Sequence, residues 1–232
     1  MAKKYKHLFF DLDRTLWDFE KSALEAFKIM HKSFNLESKG INDWREFHEK
    51  YEKHNLALWD MYRHGKIEKE QLRWKRFADT LQEYGINNQQ LAQELGDEYV
   101  RLSPRIVNLY PHVLEVLDYL SKKYHLHIIT NGFEEVQHIK LQTSGMDKFF
   151  DVIVTSEKAG IKKPDTGIFE FALKNAHAKK EESLMIGDDY EVDILGAKAA
   201  GIDQVFFSPN NENNELISTY AITDMIDLKS FL

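Results

Sequence analysis

LHIIT at 126–130, FEEVQHIKLQTSG at 133–145 and DVIVTS at 151–156 follow one another with only short breaks between them. The outer two are short, continuously apolar and rich in β-branched residues. The middle one carries charges, with apolar residues at helical spacing. That is a strand, a helix and a strand, and strands apolar on both faces belong in a parallel sheet covered by helices. The same rhythm runs on downstream. DTGIFEFALKNA (165–176) reads as helix, LMIG (184–187) as strand, EVDILGAKAAG (191–201) as helix and QVFFS (204–208) as strand. Upstream, PHVLEVLDYLSKKY (111–124) reads as helix, and TYAIT (219–223) precedes a terminal helix. Right-handed crossovers between such units make a doubly wound, Rossmann-like α/β sheet.

YKHLFF (5–10) adds one more strand, at the start of the chain, and Asp11 stops it. Between that strand and the α/β run the pattern changes. WDFEKSALEAFKIMHKSF (17–34), WREFHEKYEKHNLALWDMYRHG (44–65), EKEQLRWKRFADTLQEYG (68–85) and QQLAQELGDEYVRL (89–102) have the three- and four-residue apolar spacing of amphipathic helices. Gly65 and Gly85 stand where helix ends favour a left-handed residue. The expected organisation is an α/β core made of 1–16 and 105–232, with an all-helical insert over 17–104. PNNENNE (209–215) reads as a solvated loop.

Composition narrows the function. Hydrophobic residues make up 43% of 232, enough for a real core, which excludes a disordered chain. The net charge of −7 argues against binding a nucleic-acid polymer, which needs clustered Lys and Arg. The absence of cysteine excludes disulfides, thiolate catalysis and zinc–thiolate sites. The first apolar run is too short for a signal-peptide core, and no run is long enough to span a membrane. A cytoplasmic protein that does not associate with membranes, monomeric or homodimeric, is the expectation.

Open α/β sheets bind ligands at the carboxyl ends of their strands. Asp11, Asp13 and Thr15 follow the first strand. Thr130, Asn131 and Gly132 close the second, Lys162, Lys163 and Pro164 follow the third, and Asp188, Asp189 and Asp193 follow LMIG. Converging carboxylates repel unless a cation or a proton lies between them, and an all-oxygen donor set favours Mg²⁺. Thr130, Asn131 and Lys163 are donors suited to phosphoryl oxygens. Asp11 is best placed as a nucleophile. Asp13, two residues on, projects to the same side and can protonate the leaving oxygen, then deprotonate water. Taken singly, each motif is an ordinary turn or helix cap. Their order, each at a strand end, is what points to chemistry.

FFDLDRT, TNG, KKP and GDDYEVD resemble the four motifs of the haloacid dehalogenase superfamily, and together they span most of the chain. The resemblance implies a Mg²⁺-dependent core that works through an aspartyl phosphate on Asp11, with Asp13 as acid and base. Asp11, the backbone carbonyl of Asp13 and Asp188 would hold the metal, with Asp193, Asp189 and Thr15 just outside its ligands. Thr130, Asn131 and Lys163 would hold the phosphoryl group. The insert resembles the superfamily's helical cap, which would close over the rim, with hinges near Leu16-Trp17 and Ser103-Pro104. DLDRTLWDFE, LWDMYRHGKIEKEQLRWKRF and TNGFEEVQHIKLQTSGMDKFFD are similar to the pyrimidine and non-canonical 5′-nucleotidase branch. The expected substrate is thus a small phosphomonoester, a pyrimidine or modified nucleoside monophosphate, with a sugar phosphate or phosphoglycolate as the alternative. A non-enzymatic binding module is disfavoured because Asp11, Asp13, Lys163 and Asp188 are all present.

The four tryptophans (17, 44, 59, 74) with Tyr51, Tyr62, Phe77 and Tyr84 are expected in the insert. Their helical spacing favours packing in its own core over stacking on a base. Arg63 and Arg76 are expected to be solvated or paired, and Arg14 to be solvated rather than in contact with substrate.

Overall fold

The computed structural model describes residues 4–210 and 218–232, and most of the 209–215 loop lies outside the described residues. The chain divides into two compact units, 1–19 with 107–232, and 20–106.

The first unit is built on a six-stranded, all-parallel sheet: β1 (His7–Phe10), β2 (His125–Thr130), β3 (Val152–Thr155), β4 (Ser183–Gly187), β5 (Asp203–Phe207) and β6 (Tyr220–Ile222). Its spatial order is β3-β2-β1-β4-β5-β6. Alternate residues feed two apolar layers. Leu8, Phe10, Leu126, Ile128, Leu184 and Ile186 face one, and Phe9, Ile129, Val154 and Met185 face the other. Helices between the strands cover these faces, so the strand centres are apolar on both sides. The chain order reverses at β1, between β2 and β4. That reversal opens a crevice beyond their carboxyl ends.

The second unit holds α1 (Phe19–Ser33), α2 (Trp44–Arg63), α3 (Lys69–Gln82) and α4 (Gln89–Leu102). Asp43 caps α2 through the Arg45 N–H, and Asn88 caps α4 through the Leu91 N–H. Gly65 and Gly85 take positive φ at the ends of α2 and α3. Phe27, Tyr51, Phe77 and Tyr99 pack together as its core, with the Tyr51 ring 4.7 Å from both Phe27 and Phe77. Arg76 is buried among these rings and donates to Asn55 Oδ1 at 3.0 Å. These aromatics and Arg76 therefore form the unit's own interior. No helix among the described residues is long and apolar enough to cross a membrane.

The boundaries differ slightly from 17–104. The helical unit starts at 20 and ends at 106. The backbone explains the shift. Trp17 bridges to Leu109, and the Asp18 N–H donates to Asn108 O at 2.9 Å, so the outgoing and returning strands pair before they part. Trp17 is thus a buried member of the sheet unit's core, not an aromatic of the insert. A second difference lies after β4. The expected helix over 191–201 is a π-helical turn, Tyr190–Leu195, followed by a short α-helix, Gly196–Ala199.

Candidate active site

β1 and β4 run side by side, and the Asp11 N–H extends their pairing by donating to Ile186 O at 2.9 Å. Asp11 and Asp188 therefore leave the sheet as neighbours. Asp193 joins them from the π-helical turn, a widening that recurs at functional sites. Gly187 makes this approach possible, since a Cβ there would collide with the Asp193 carboxylate. Oxygens of Asp11, Asp188 and Asp193 all lie within 4.8 Å of one another.

Lys163 enters from the loop after β3. It is 1% exposed, and its Nζ donates to Asp11 Oδ1 at 2.6 Å, Asp193 Oδ1 at 2.6 Å and Ile129 O at 2.8 Å. Asn131 fixes this loop. Its Oδ1 accepts from the Lys163 N–H at 2.8 Å and its Nδ2 donates to Lys163 O at 2.9 Å. Thr15 is fully buried and donates to Asp188 Oδ1 at 2.9 Å. Asp189 uses Oδ1 to accept from the Glu191 and Val192 N–H groups, capping the π-helical turn, while its own N–H donates to Asp193 Oδ2 at 3.1 Å.

Three carboxylates around one ammonium leave a net −2 in a confined space. Burial pushes Asp11 up to about 7, Lys163 partly offsets this, and Asp193 adds to it. Burial likewise raises Asp188, with repulsion from Asp11 and Asp193 adding to it. Asp193 is also raised, by burial, against the pull of Lys163. Lys163 goes the other way. Burial works against its charge, but Asp11 and Asp193 outweigh it and hold the ammonium above its usual range. This donor set, all oxygen and short of two positive charges, fits a hard divalent cation.

Asp13 points elsewhere. Its Oδ1 is paired with the Lys140 ammonium and its Oδ2 accepts from Gln137 Nε2 at 2.7 Å. Burial would raise it, but Lys140 and Gln137 together hold it below the usual carboxylate range. Its side chain is not among the three converging carboxylates. Both partners sit on α5 (Glu134–Ser144), and the sequence reading overlooked them. The signal was present: the buried stripe of α5 is Gln137, Lys140 and Leu141, where a helix over a sheet should be apolar. Thr130 Oγ1 also accepts from Gln137, at 2.7 Å, and from the Gly132 N–H at 3.1 Å. Arg14 has a positive φ of 64°, and its guanidinium lies 4.8 Å from the Phe19 ring centroid.

Known proteins bear on this arrangement. HAD-hydrolase YfnB of Bacillus subtilis is 29% identical over 233 residues, covering 99% of this chain and 96% of its own. Its magnesium-bound crystal structure superposes with a TM-score of 0.87 at 28% identity, covering 98% of each chain. Pyrimidine 5′-nucleotidase PynA of Streptococcus pneumoniae is 30% identical, over 96% of this chain and 94% of its own. Pyrimidine 5′-nucleotidase YjjG of Escherichia coli is 26% identical, over 99% and 98%. The sequence profile of the haloacid dehalogenase-like hydrolases matches residues 8–207, from β1 through β5. A match over that span, on a sheet whose strand ends carry these acids and this lysine, makes the chain a member of the haloacid dehalogenase-like hydrolase family.

Proposed function

We propose that this chain is a Mg²⁺-dependent phosphomonoesterase that works through Asp11, with pyrimidine or modified nucleoside monophosphates as its substrates. The observation that carries this reading is the contact of the Asp11 carboxylate with Lys163, beside Asp188 and Asp193. Asp11 and Asp188 would hold the ion with the backbone carbonyl of Asp13. Both oxygens of Asp193 are already engaged, by Lys163 and by the Asp189 N–H, which suits an orienting part outside the ligands. The cation supplies charge neutralisation for the transferring phosphoryl group.

The residues then divide the work. Lys163 and the Thr130 hydroxyl offset and orient the phosphoryl oxygens. Asn131 acts chiefly by fixing the Lys163 loop. An Asp11 oxygen attacks phosphorus, the bond to the leaving oxygen breaks, and that oxygen takes a proton from Asp13. Asp13 obtains the proton from solvent or from the substrate's own monoanion. In the second step water attacks phosphorus, its proton goes to Asp13, and the bond to Asp11 breaks to release phosphate. The nucleotide class rests on the two related pyrimidine 5′-nucleotidases, which align along nearly the whole chain.

The test is Mg²⁺-dependent phosphate release by wild type and Asp11→Asn, across pyrimidine and purine monophosphates, sugar phosphates and phosphoglycolate. The variant should lose at least about 10³-fold in kcat. Equal rates in both proteins would remove Asp11 from the mechanism. A sugar phosphate or phosphoglycolate turned over best would replace the nucleotide reading with the alternative.

A further inference from the structure

We propose that Lys140 and Gln137 are positioning residues that lock the Asp13 carboxylate, and through Gln137 the Thr130 hydroxyl, for proton delivery to the leaving group. The proposal rests on the phosphatase reading above and deepens it.

Asp13 lies in a loop, where a short carboxylate ordinarily turns freely about two bonds. Here both oxygens are held from one helix, Oδ1 by Lys140 and Oδ2 by Gln137. The holders are themselves fixed. Lys140 is 3% exposed, and its ammonium lies 5.5 Å from the ring centroids of both Trp17 and Phe19, so its cationic head is set between aromatic groups. Gln137 is fully buried, and its amide packs so closely against Gly132 that a Cβ there would collide with it.

Gln137 Nε2 has two protons. One goes to Asp13 and the other to Thr130 Oγ1. Thr130 Oγ1 also accepts from the Gly132 N–H, which fills both acceptor positions of the hydroxyl. Its own proton is left to donate, as a phosphoryl oxygen requires. A single amide thus relates the group that hands over a proton to the group that grips the phosphoryl. Gln137 Oε1, the acceptor end, is buried with no hydrogen-bond partner among the described residues. A residue retained only for stability would satisfy that atom or replace it with carbon.

The experiment is kcat/KM for Lys140→Met, Lys140→Arg and Gln137→Met on alkyl phosphates and on 4-nitrophenyl phosphate, with Mg²⁺ present. kcat/KM reports phosphoryl transfer to Asp11, before the water step common to all substrates. A nitrophenolate leaves without help, whereas an alkoxide needs its proton. Lys140→Met should lose about 10- to 100-fold on alkyl phosphates but under about 3-fold on the aryl phosphate, a contrast that general-acid loss produces, while Gln137→Met, which also releases Thr130, should lose on both but about 10-fold more on alkyl phosphates. Lys140→Arg should recover part of the alkyl rate. Added to Asp13→Asn, Lys140→Met should cost nothing further, because it acts through Asp13. Equal losses on both substrate types, or losses that multiply in the double variant, overturn the proposal. If Lys140→Met lowers Tm too far for assay, Lys140→Arg and Gln137→Met carry the same contrast. A wild type that releases no phosphate from any substrate, or an active Asp11→Asn, would instead defeat the phosphatase reading.

Discussion

The two ends of the central strands bury charge-bearing groups of opposite kinds. At the carboxyl ends, Asp11, Asp188 and Asp193 converge, and Lys163 pairs with Asp11 and Asp193. At the amino ends, His7 and His127 on the adjacent strands β1 and β2 share a 3.1 Å contact, and His125 pairs with Asp151 at 2.7 Å. The rings of His125 and His127 stack on His7 at 5.2 and 5.3 Å. Burial disfavours charge at both ends, but the consequences are opposite. It pushes the acids up, so they need a cation to remain ionised together. It pushes His127, 1% exposed, down to about 4, with His7 adding to the effect, and it lowers His7 as well, so these two rings stay neutral. One end has an unmet need for charge and is suited to a ligand. The other holds His127 uncharged and calls for no ion.

That contrast predicts where disturbance is felt most. Lys163→Ala removes the ammonium that pairs with the buried Asp11 and Asp193 carboxylates. It should lower kcat by about 10²- to 10³-fold and, without Mg²⁺, cost about 3–5 kcal/mol in chemical denaturation. A change confined to KM would mean that Lys163 does not face the transferring group.

At the histidine end the sign follows from linkage. His127 is protonated more readily in the unfolded chain, with its ordinary value near 6.5, than in the folded one, near 4. Its contribution is complete above 6.5 and is lost as pH falls toward 4, by about 3 kcal/mol. The stability difference between wild type and His127→Phe should move by about that amount between pH 7 and 4, in urea titrations run with Mg²⁺. A flat difference would show that the histidine end carries no such linkage.

Mg²⁺ at 100 times its Kd should stabilise the wild type by about 2.7 kcal/mol. Asp188→Asn should abolish the accompanying rise in Tm, while His127→Phe keeps it. The smallest effect is expected at Asp189, which caps the π-helical turn. Asp189→Ala should cost about 1 kcal/mol, with Mg²⁺ affinity measured by calorimetry falling less than for Asp188→Asn. The reverse order would move Asp189 inward, among the ligands.

Much of this was legible in the chain itself. Apolar runs at 126–130 and 184–187 mark strands because burial on both faces leaves no room for polar alternation. The residues after them, Thr130 and Asp188, mark the rim because a parallel sheet delivers successive strand ends to one edge. Other elements misled for physical reasons. Trp17 reads as the start of an amphipathic helix, yet backbone pairing with Leu109 draws it into the sheet unit. Gln137 and Lys140 drew no notice in the sequence, since long polar side chains on helices usually reach water. Residues 190–195 carry helical spacing, but a π-helical turn forms there and brings Asp193 toward Asp11.

Local order along the chain was enough to determine the strands, their parallel arrangement, the helical insert and the identity of the acids and lysine at the rim. Tertiary structure alone decided which acid meets which base: Asp13 with Lys140, 127 residues away, and Asp11 with Lys163, 152 away. Periodicity is a property of neighbours in sequence. The ionisation of a buried carboxylate depends on what burial removes and which distant charge replaces the lost water.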